Sequence, residues 1–504
     1  MDDRKFALRL LVTLFSIAFL AFWAEAAWEF MRAVHPLTGE AVKLSDLHAT
    51  APMVRSLAST FASSYNTQIA LLLTFIALAI PITANMYTPK LIEIFVRDRI
   101  NLFVLCACAL LAAHSLFALA LSFDNFTGQL PFFLTVLFSI CGWLILLPYY
   151  FYVLSFVDPL TIIKRVHRRV QESLEDAAAG RYPVREAQRR VNQRIINLGS
   201  VLLRAVDRAD RDVSFDAIAT HILELERVRS VKPRLPAAFF QVDNSIMVGA
   251  SQDAIRMISE GRVWMEHRLA TQLILAYKGM LGKMPDGVSV ISAAVMQAAH
   301  REARADGDPE VFRLLVRVLN TFIREAIKKK ENATAYNVVF NYKLLIKQLL
   351  TDAPLQVPRL VEHFCYYANY ARHRGLPFIY ELVSYELAGL AEIAYEADME
   401  PAPVLLEAML DFEGVEGSAA LVKSRAILGG YFHERGMAED LAVIESSLRG
   451  VPKPALLAAR NAILAVENAA FWEMTDRGTD LDYVEPARRR HVSAVIDRLL
   501  TEDQ

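Results

Sequence analysis

The sequence has few cysteines and no cysteine pair of the kind that binds zinc. Of its four cysteines, Cys106, Cys108 and Cys141 lie inside apolar runs, and Cys365 lies on a helical pattern. None of them forms a CxxC motif. Neither a disulfide framework nor a cysteine zinc site is therefore predicted.

The sequence also lacks an excess of charge of either sign. Its formal net charge is −2, with 54 Lys and Arg against 56 Asp and Glu. Nucleic-acid-binding domains usually carry a clear excess of Lys and Arg. We therefore predict no nucleic-acid partner.

Catalytic and metal-binding motifs are missing as well. His433-Glu434 begins an HExxH motif but has no second histidine, and Gly279–Lys283 is too short for a phosphate-binding loop. The aspartates between 207 and 216 lack the glycine and the terminal glutamate of a calcium loop, so helix capping explains them better. We predict no enzyme activity, no cofactor and no metal site.

Long apolar runs are what the sequence does have, all of them before about residue 158. A helix that crosses the hydrocarbon core of a bilayer needs about 20 predominantly apolar residues. Four stretches meet this requirement, and they predict a transmembrane domain over residues 1–158. The predicted spans are 6–30, 67–88, 101–123 and 131–157.

The first of these runs has an alternative interpretation as a cleaved signal peptide. Arg4 and Lys5 precede the apolar run, and the small-residue triplet Ala24-Glu25-Ala26 is similar to a cleavage site. The apolar stretch continues to Phe30, which is longer than a signal peptide requires. A retained first span is the favoured interpretation.

The distribution of Lys and Arg in the short flanks predicts the orientation of the spans. Ten basic residues fall on one side and three on the other, and the basic side of a membrane protein is normally cytosolic. Both termini are therefore predicted to be cytosolic, with residues 31–66 on the outside. The ten are Arg4, Lys5, Arg9, Lys90, Arg97, Arg99, Lys164, Arg165, Arg168 and Arg169, and the three are Arg32, Lys43 and Arg55.

Three short segments around the second and third spans carry a resemblance to a known family. They are 51–60 (APMVRSLAST), 85–91 (NMYTPKL) and 96–99 (VRDR). They resemble an uncharacterised bacterial family of predicted four-span membrane proteins, over about residues 1–160. The resemblance implies a bacterial inner-membrane protein and carries no known activity.

Few polar residues lie within the spans, and two of them are candidates for an intramembrane site. They are Asn85, near the end of the second span, and His114, in the middle of the third. Intramembrane ionisable residues are often functional. No Asp, Glu, Lys or Arg lies in the central part of any span to form a relay with His114. Packing through one interhelical hydrogen bond is favoured over a role in a pore or a proton path.

A basic helical segment, residues 159–212, is predicted to follow the fourth span. Asp158 and Pro159 are typical of an N-cap and a first helical position. The side chains of Lys164, Arg165, Arg168 and Arg169 are candidates for contact with anionic lipid headgroups. The alternative is that these charges only set the membrane topology.

The remainder, residues 213–504, shows helical periodicity throughout. Apolar residues recur at i, i+3, i+4 and i+7, with Gly, Asp and Pro at the joints. Helix pairs are predicted at 309–330 with 332–351 and at 357–374 with 376–398. Their spacing favours an α-solenoid of helix hairpins over an irregular helical bundle.

These features together predict an all-α protein in which a four-helix transmembrane domain is followed by a cytosolic helical domain. The favoured function is a membrane-anchored scaffold that presents this domain to a cytosolic protein. The alternative is a channel or transporter gated by the domain. The channel would require a homo-oligomer, because four spans with hardly any intramembrane charge cannot easily enclose a polar path. The predicted partners are the lipid bilayer and a cytosolic protein.

Overall fold

The computed structural model describes residues 50–86, 99–120, 122–123, 126–127, 129–470 and 478–501. The chain divides into two compact units, residues 1–162 and 163–504. The described residues are mainly α-helical, which confirms the predicted fold class at that level. The exceptions are one pair of two-residue strands and an isolated bridge between Ala470 and Thr479. The predicted domain boundaries after residues 158 and 212 stay predictions.

Unit 1 contains three described helices that pack against one another. The predicted span over 6–30 lies outside the described residues. The predicted spans over 101–123 and 131–157 coincide with the second and third helices to within three residues. The elements are α1 (Ala51–Met86), α2 (Arg99–Ala120), β1 (Ser122–Phe123), β2 (Phe126–Thr127) and α3 (Gln129–Val157).

Helix α1 begins well before the predicted second span. Residues 51–66 are helical, whereas the sequence placed them in a loop. Val54, Ala58, Ala62 and Tyr65 are buried at helical spacing. Most of these side chains are small, and serines and threonines separate them, so a search for long apolar runs overlooks the stripe. Hydroxyl groups on this helix find hydrogen-bond acceptors within it, as the Thr60 hydroxyl does by donating to the Ser56 backbone carbonyl at 2.7 Å.

Among the described residues, one helical segment is long and apolar enough to cross a membrane by length and composition. It is Leu134–Val153 of α3. A shorter apolar segment, Ala107–Phe117, lies in α2. These segments fall in the predicted fourth and third spans.

Unit 2 is a succession of helices, most of which are joined by short loops. Helix α4, which starts before the division between the units, runs over Pro159–Ala178. The others are α5 (Val184–Asp207), α6 (Arg211–Val231), α7 (Gln252–Glu260), α8 (Trp264–Met280), α9 (Pro285–Ala303), α10 (Pro309–Lys329), α11 (Asn332–Asp352), α12 (Val357–His373), α13 (Pro377–Glu396), α14 (Ala402–Leu410), α15 (Ala419–Arg435), α16 (Ala438–Leu448), α17 (Lys453–Ala465) and α18 (Pro486–Thr501).

The helix pairs predicted from residue 309 onward match α10 to α13 to within two residues at each end. The start of α10 shows why. Asp308 caps this helix by accepting hydrogen bonds from the backbone N–H groups of Glu310 and Val311, at 3.0 and 3.3 Å. Lys330, at φ 56°, ends it in the left-handed conformation. The joint predicted at Asp308 and Pro309 is therefore a helix cap.

Helices from α5 to α13, apart from α7, form two rows. In the first row α5, α8, α10 and α12 pack side by side, and in the second α6, α9, α11 and α13 do so. One pair of stacked aromatic rings joins α8 to α10 within the first row, and another joins α11 of the second row to α12 of the first. Tyr277 and Phe322 have ring centroids 4.0 Å apart, and Tyr342 and Phe364 have theirs 5.4 Å apart.

A buried charge network connects the starts of α8 and α10 to the segment after α6. Lys232 Nζ lies 3.0 Å from a carboxylate oxygen of Glu266 and 2.6 Å from one of Asp308. Burial lowers the pKa of Lys232, but the two carboxylates outweigh burial and leave it raised. The side chain of Glu266 is 2% exposed, so this pairing must compensate for its loss of hydration.

The C-terminal helices pack closely because of a glycine. A Cβ atom placed on Gly430 of α15 would lie 2.4 Å from Val492 Cγ2 and 3.1 Å from the Val492 backbone nitrogen in α18. Nearby, the buried Arg425 donates to the backbone carbonyls of Leu410 and Phe412, at 2.9 and 2.8 Å. These interactions connect α15 to α18 and to the loop after α14.

Candidate functional site

Helix α4 carries the four basic residues predicted to contact lipid headgroups. Asp158 caps it as predicted, by accepting from the backbone N–H of Thr161 at 3.1 Å and from its hydroxyl at 2.6 Å. Lys164 and Arg168, one turn apart, are exposed, whereas Arg165 and Arg169 are partly buried. Lys164 and Arg168 therefore have the exposure that a headgroup contact requires, and Arg165 and Arg169 are less available.

Side chains on the other faces of α4 pair with residues of α6 and of the segment that follows it. His167 Nδ1 lies 2.5 Å from Glu224 Oε1, and the Glu224 side chain is completely buried. Burial raises the pKa of Glu224. Farther along, Glu175 pairs with Arg227 and Arg234, and the Arg234 guanidinium lowers the Glu175 pKa. These pairs could not be predicted from the sequence, because their members lie more than fifty residues apart.

His114 makes an interhelical contact inside unit 1. Its Nδ1 lies 3.0 Å from the Thr135 hydroxyl of α3, and its ring meets Phe138 edge-on with centroids 5.3 Å apart. A packing role requires one interhelical hydrogen bond of this kind, and the role of His114 stays a prediction. Asn85 lies near the end of α1, and its side chain is outside the described part of the chain.

Helix α3 approaches α1 closely at Gly142. A Cβ atom at this position would lie 2.8 Å from Tyr65 Cε1 and 3.1 Å from Leu111 Cδ1 of α2. Gly142 thus allows the three helices to meet around the Tyr65 ring. Its surroundings are packed rather than open.

Several acidic residues of unit 2 cap a helix or form ion pairs. Asp210 caps α6 by accepting from the backbone N–H of Val213 at 3.3 Å. On α13, Glu386 pairs with Lys343 at 3.3 Å and Glu392 pairs with Arg488 at 2.6 Å. No group of three or more potential ligands is found within the described ranges.

The two rows of unit 2 differ in charge, which sequence analysis missed. The first row, named here the basic row, carries fourteen Lys and Arg against six Asp and Glu over its four helices. The second, named the acidic row, carries six against eleven. Helices of the two rows mostly alternate along the chain, so the opposite charges nearly cancel in the sequence total. A helix-by-helix count combined with the packing would have found them.

The comparison with known families bears on unit 1 and on the start of unit 2. Residues 5–209 match the family model described as "Predicted membrane protein (DUF2254)". The predicted resemblance to an uncharacterised membrane protein family is thereby confirmed. The match continues past residue 160, where the sequence analysis ended it, through α4 and α5. DUF2254 has no known function.

Other comparisons add little. No curated protein matches the chain. One solved structure, entitled "Circular tandem repeat protein with novel repeat topology and enhanced subunit contact surfaces", is similar at 10% identity and a TM-score of 0.30. The similarity covers 90% of this chain and 95% of the other. At that TM-score it carries no argument about fold or function.

Proposed function

We propose that this predicted membrane protein is a membrane-anchored scaffold. Four helices, including one over 6–30, anchor it in a bacterial inner membrane, and both termini are cytosolic. The helices of unit 2 stack as an α-solenoid that presents its surface to a cytosolic protein. Lys164, Arg165, Arg168 and Arg169 contact anionic headgroups, with Lys164 and Arg168 most available.

The observation that carries this proposal is the packing in two rows. Each helix from α8 to α13 packs against helices one and two places away in the chain. Such nearest-neighbour stacking is typical of solenoids, whose extended faces serve as binding surfaces. In the described part of unit 2, Glu386 and Glu392 lie in ion pairs, and no group of three or more metal-ligating side chains is found.

His114 supports the scaffold over a channel. It is hydrogen-bonded to Thr135 and packed against Phe138. A proton path would need a titratable group exchanging protons with neighbours, whereas packing needs one hydrogen bond and a similar volume. The described contacts of His114 meet the second requirement.

Reconstitution into liposomes tests the scaffold against the channel. We expect no ion or proton flux from the wild type, and His114→Gln should keep the same yield and thermal stability because glutamine can still hydrogen-bond to Thr135. Thr135→Ser, which keeps the hydroxyl, is the matched control. Wild-type flux that His114→Gln abolishes would establish transport and refute the scaffold.

Photo-crosslinking in cells tests the presentation of unit 2 to a protein. A photoreactive amino acid is placed in turn at exposed positions of both rows, in the full chain. A discrete adduct confined to contiguous positions is expected. If every position gives only the uncrosslinked chain, the proposal of a protein partner is refuted.

A further inference from the structure

The charge of the basic row is on its surface. Of its fourteen Lys and Arg side chains, eleven are exposed and three are partly buried. Eleven of the fourteen are arginines. The exposed ones are Arg185, Arg189, Arg190, Lys278, Arg313, Arg317, Arg324, Lys328, Lys329, Arg359 and Arg372.

The basic surface is continuous from one helix to the next. Lys278 Nζ of α8 lies 3.6 Å from Glu325 Oε2 of α10, so side chains at the surfaces of these two helices meet. On the other side of α10, Asn320 Nδ2 lies 3.3 Å from His363 Nδ1 of α12. The exposed faces of α8, α10 and α12 therefore form one surface.

We infer that the exposed face of the basic row binds an acidic segment of a protein. This inference rests on the proposed scaffold function and names the chemistry of the partner. The planar guanidinium of arginine presents two parallel N–H donors that match a carboxylate, so the abundance of arginine over lysine suits Asp and Glu side chains. Arg317 and Arg359 have no ion pair within the described residues, which leaves them available to carboxylates.

One feature favours a polypeptide over a phosphodiester chain. Tyr366 of α12 is 62% exposed and lies two helical turns after the exposed Arg359, on the same face of that helix. Arginine and tyrosine are the residues that contribute most to binding at protein interfaces. A mixed surface of this kind suits a partner that is acidic and partly apolar.

Binding of an acidic peptide by the full-length protein in neutral detergent tests the inference. The probe is fluorescein-labelled poly-L-glutamate of about 20 residues, a length typical of one side of a protein interface, measured by fluorescence anisotropy. The test variant is Arg317→Gln/Arg324→Gln/Arg359→Gln. The matched control is Lys283→Gln/Arg304→Gln/Lys347→Gln, which also removes three positive charges, but from exposed positions outside the basic row.

We expect wild-type binding that weakens with added salt, and a loss of about tenfold in affinity in the test variant, since each exposed pair contributes modestly. The control should bind like the wild type. Equal losses in both variants, or no loss in the test variant, would overturn the inference.

Competition distinguishes the other anions. An oligothymidylate of equal charge, or phosphatidylglycerol added to the micelles, should displace the peptide less well than unlabelled poly-L-glutamate does. If either displaces it better, the site is for nucleic acid or for lipid, and the inference fails. Crosslinks confined to the acidic row would also refute it, while leaving the scaffold function intact.

Discussion

At the scale of single residues, His221 shows how burial sets a protonation state. Its side chain is fully buried in α6, and its Nδ1 lies 2.7 Å from the Ala217 carbonyl oxygen, which can only accept a hydrogen bond. Nδ1 therefore carries the proton in the neutral ring. Burial lowers the pKa of His221 from 6.5 to about 4. Between pH 4 and pH 6.5, His221 is therefore mainly neutral in the folded protein and mainly protonated in the unfolded chain.

The pH dependence of stability should report this histidine. Because the folded pKa lies below the unfolded one, the contribution of His221 is complete above pH 6.5 and is lost as the pH falls toward 4. Between pH 7.5 and pH 4.5, we expect the free energy of unfolding of the wild type to fall by about 2 to 3 kcal/mol more than that of His221→Gln. Thermal unfolding of the two proteins at both pH values measures this difference. His373→Gln, at an exposed position, should follow the wild type, and a wild-type-like slope in His221→Gln would contradict the assignment.

The role predicted for His114 stays a prediction. Its described contacts include an interhelical hydrogen bond to Thr135, of the kind that a packing role requires. The pair of His167 and Glu224 was not predictable, because helical periodicity places each residue on a face without naming the residue opposite. Buried pairs of this kind depend on tertiary packing.

At the scale of helices, two glycines in similar helical positions should respond oppositely to alanine. Gly430 faces Val492 across the contact between α15 and α18, whereas nothing lies within 4 Å of a Cβ atom at Gly389 of α13. Alanine has the higher helix propensity at both positions, by about 0.5 to 1 kcal/mol. At Gly430 this gain must be set against overpacking, which typically costs about 1 to 3 kcal/mol.

We therefore expect Gly389→Ala to raise the thermal unfolding temperature and Gly430→Ala to lower it. Differential scanning fluorimetry of the detergent-solubilised chain measures both shifts. Combining Gly430→Ala with Val492→Ala should recover part of the loss, because the side-chain clash is then relieved. Equal shifts for the two single variants would show that α18 does not lie against Gly430.

A broad apolar stripe made the helices from α10 to α13 predictable, and at the start of α10 a chemical cap added a second signal. Helix α10 has both, in its leucines and phenylalanines and in Asp308. Helix α1 has a stripe made mostly of small residues, so its first part was taken for a loop. A narrow stripe of Ala and Val is hard to detect in a sequence. It is nevertheless enough for a helix to pack in a bundle, because small side chains let the backbones approach closely.

At the scale of the whole molecule, the orientation in the membrane is a prediction that labelling can check. The count of ten basic residues against three places residues 31–66 and the turn near Asp124 outside. A cysteine introduced at Asp124 in a cysteine-free background should react with a membrane-impermeant maleimide in intact cells. One introduced at Lys283 should react only after lysis. The reverse pattern would invert the topology and would place unit 2 outside the cytosol.

The charge of the molecule illustrates what composition conceals. A net charge of −2 led to no expectation of a charged binding surface, yet the helices of α5 to α13 sort into a basic and an acidic row. The sorting depends on which helices become neighbours. Helix α10 is adjacent in sequence to α9 and α11, but it packs in the same row as α8 and α12, which also carry exposed basic residues.

The opposite signs of the two rows have a consequence for concentrated solutions of the protein. The rows are one helix layer apart, about 8 to 10 Å between axes, so unit 2 has a permanent electric dipole across its thickness. Dipoles of this kind attract one another face to back, and a face-to-back contact is heterologous, so its symmetry does not limit the number of copies added. Reversible chain growth at low ionic strength, dispersed by salt, is the colloidal behaviour that this arrangement favours.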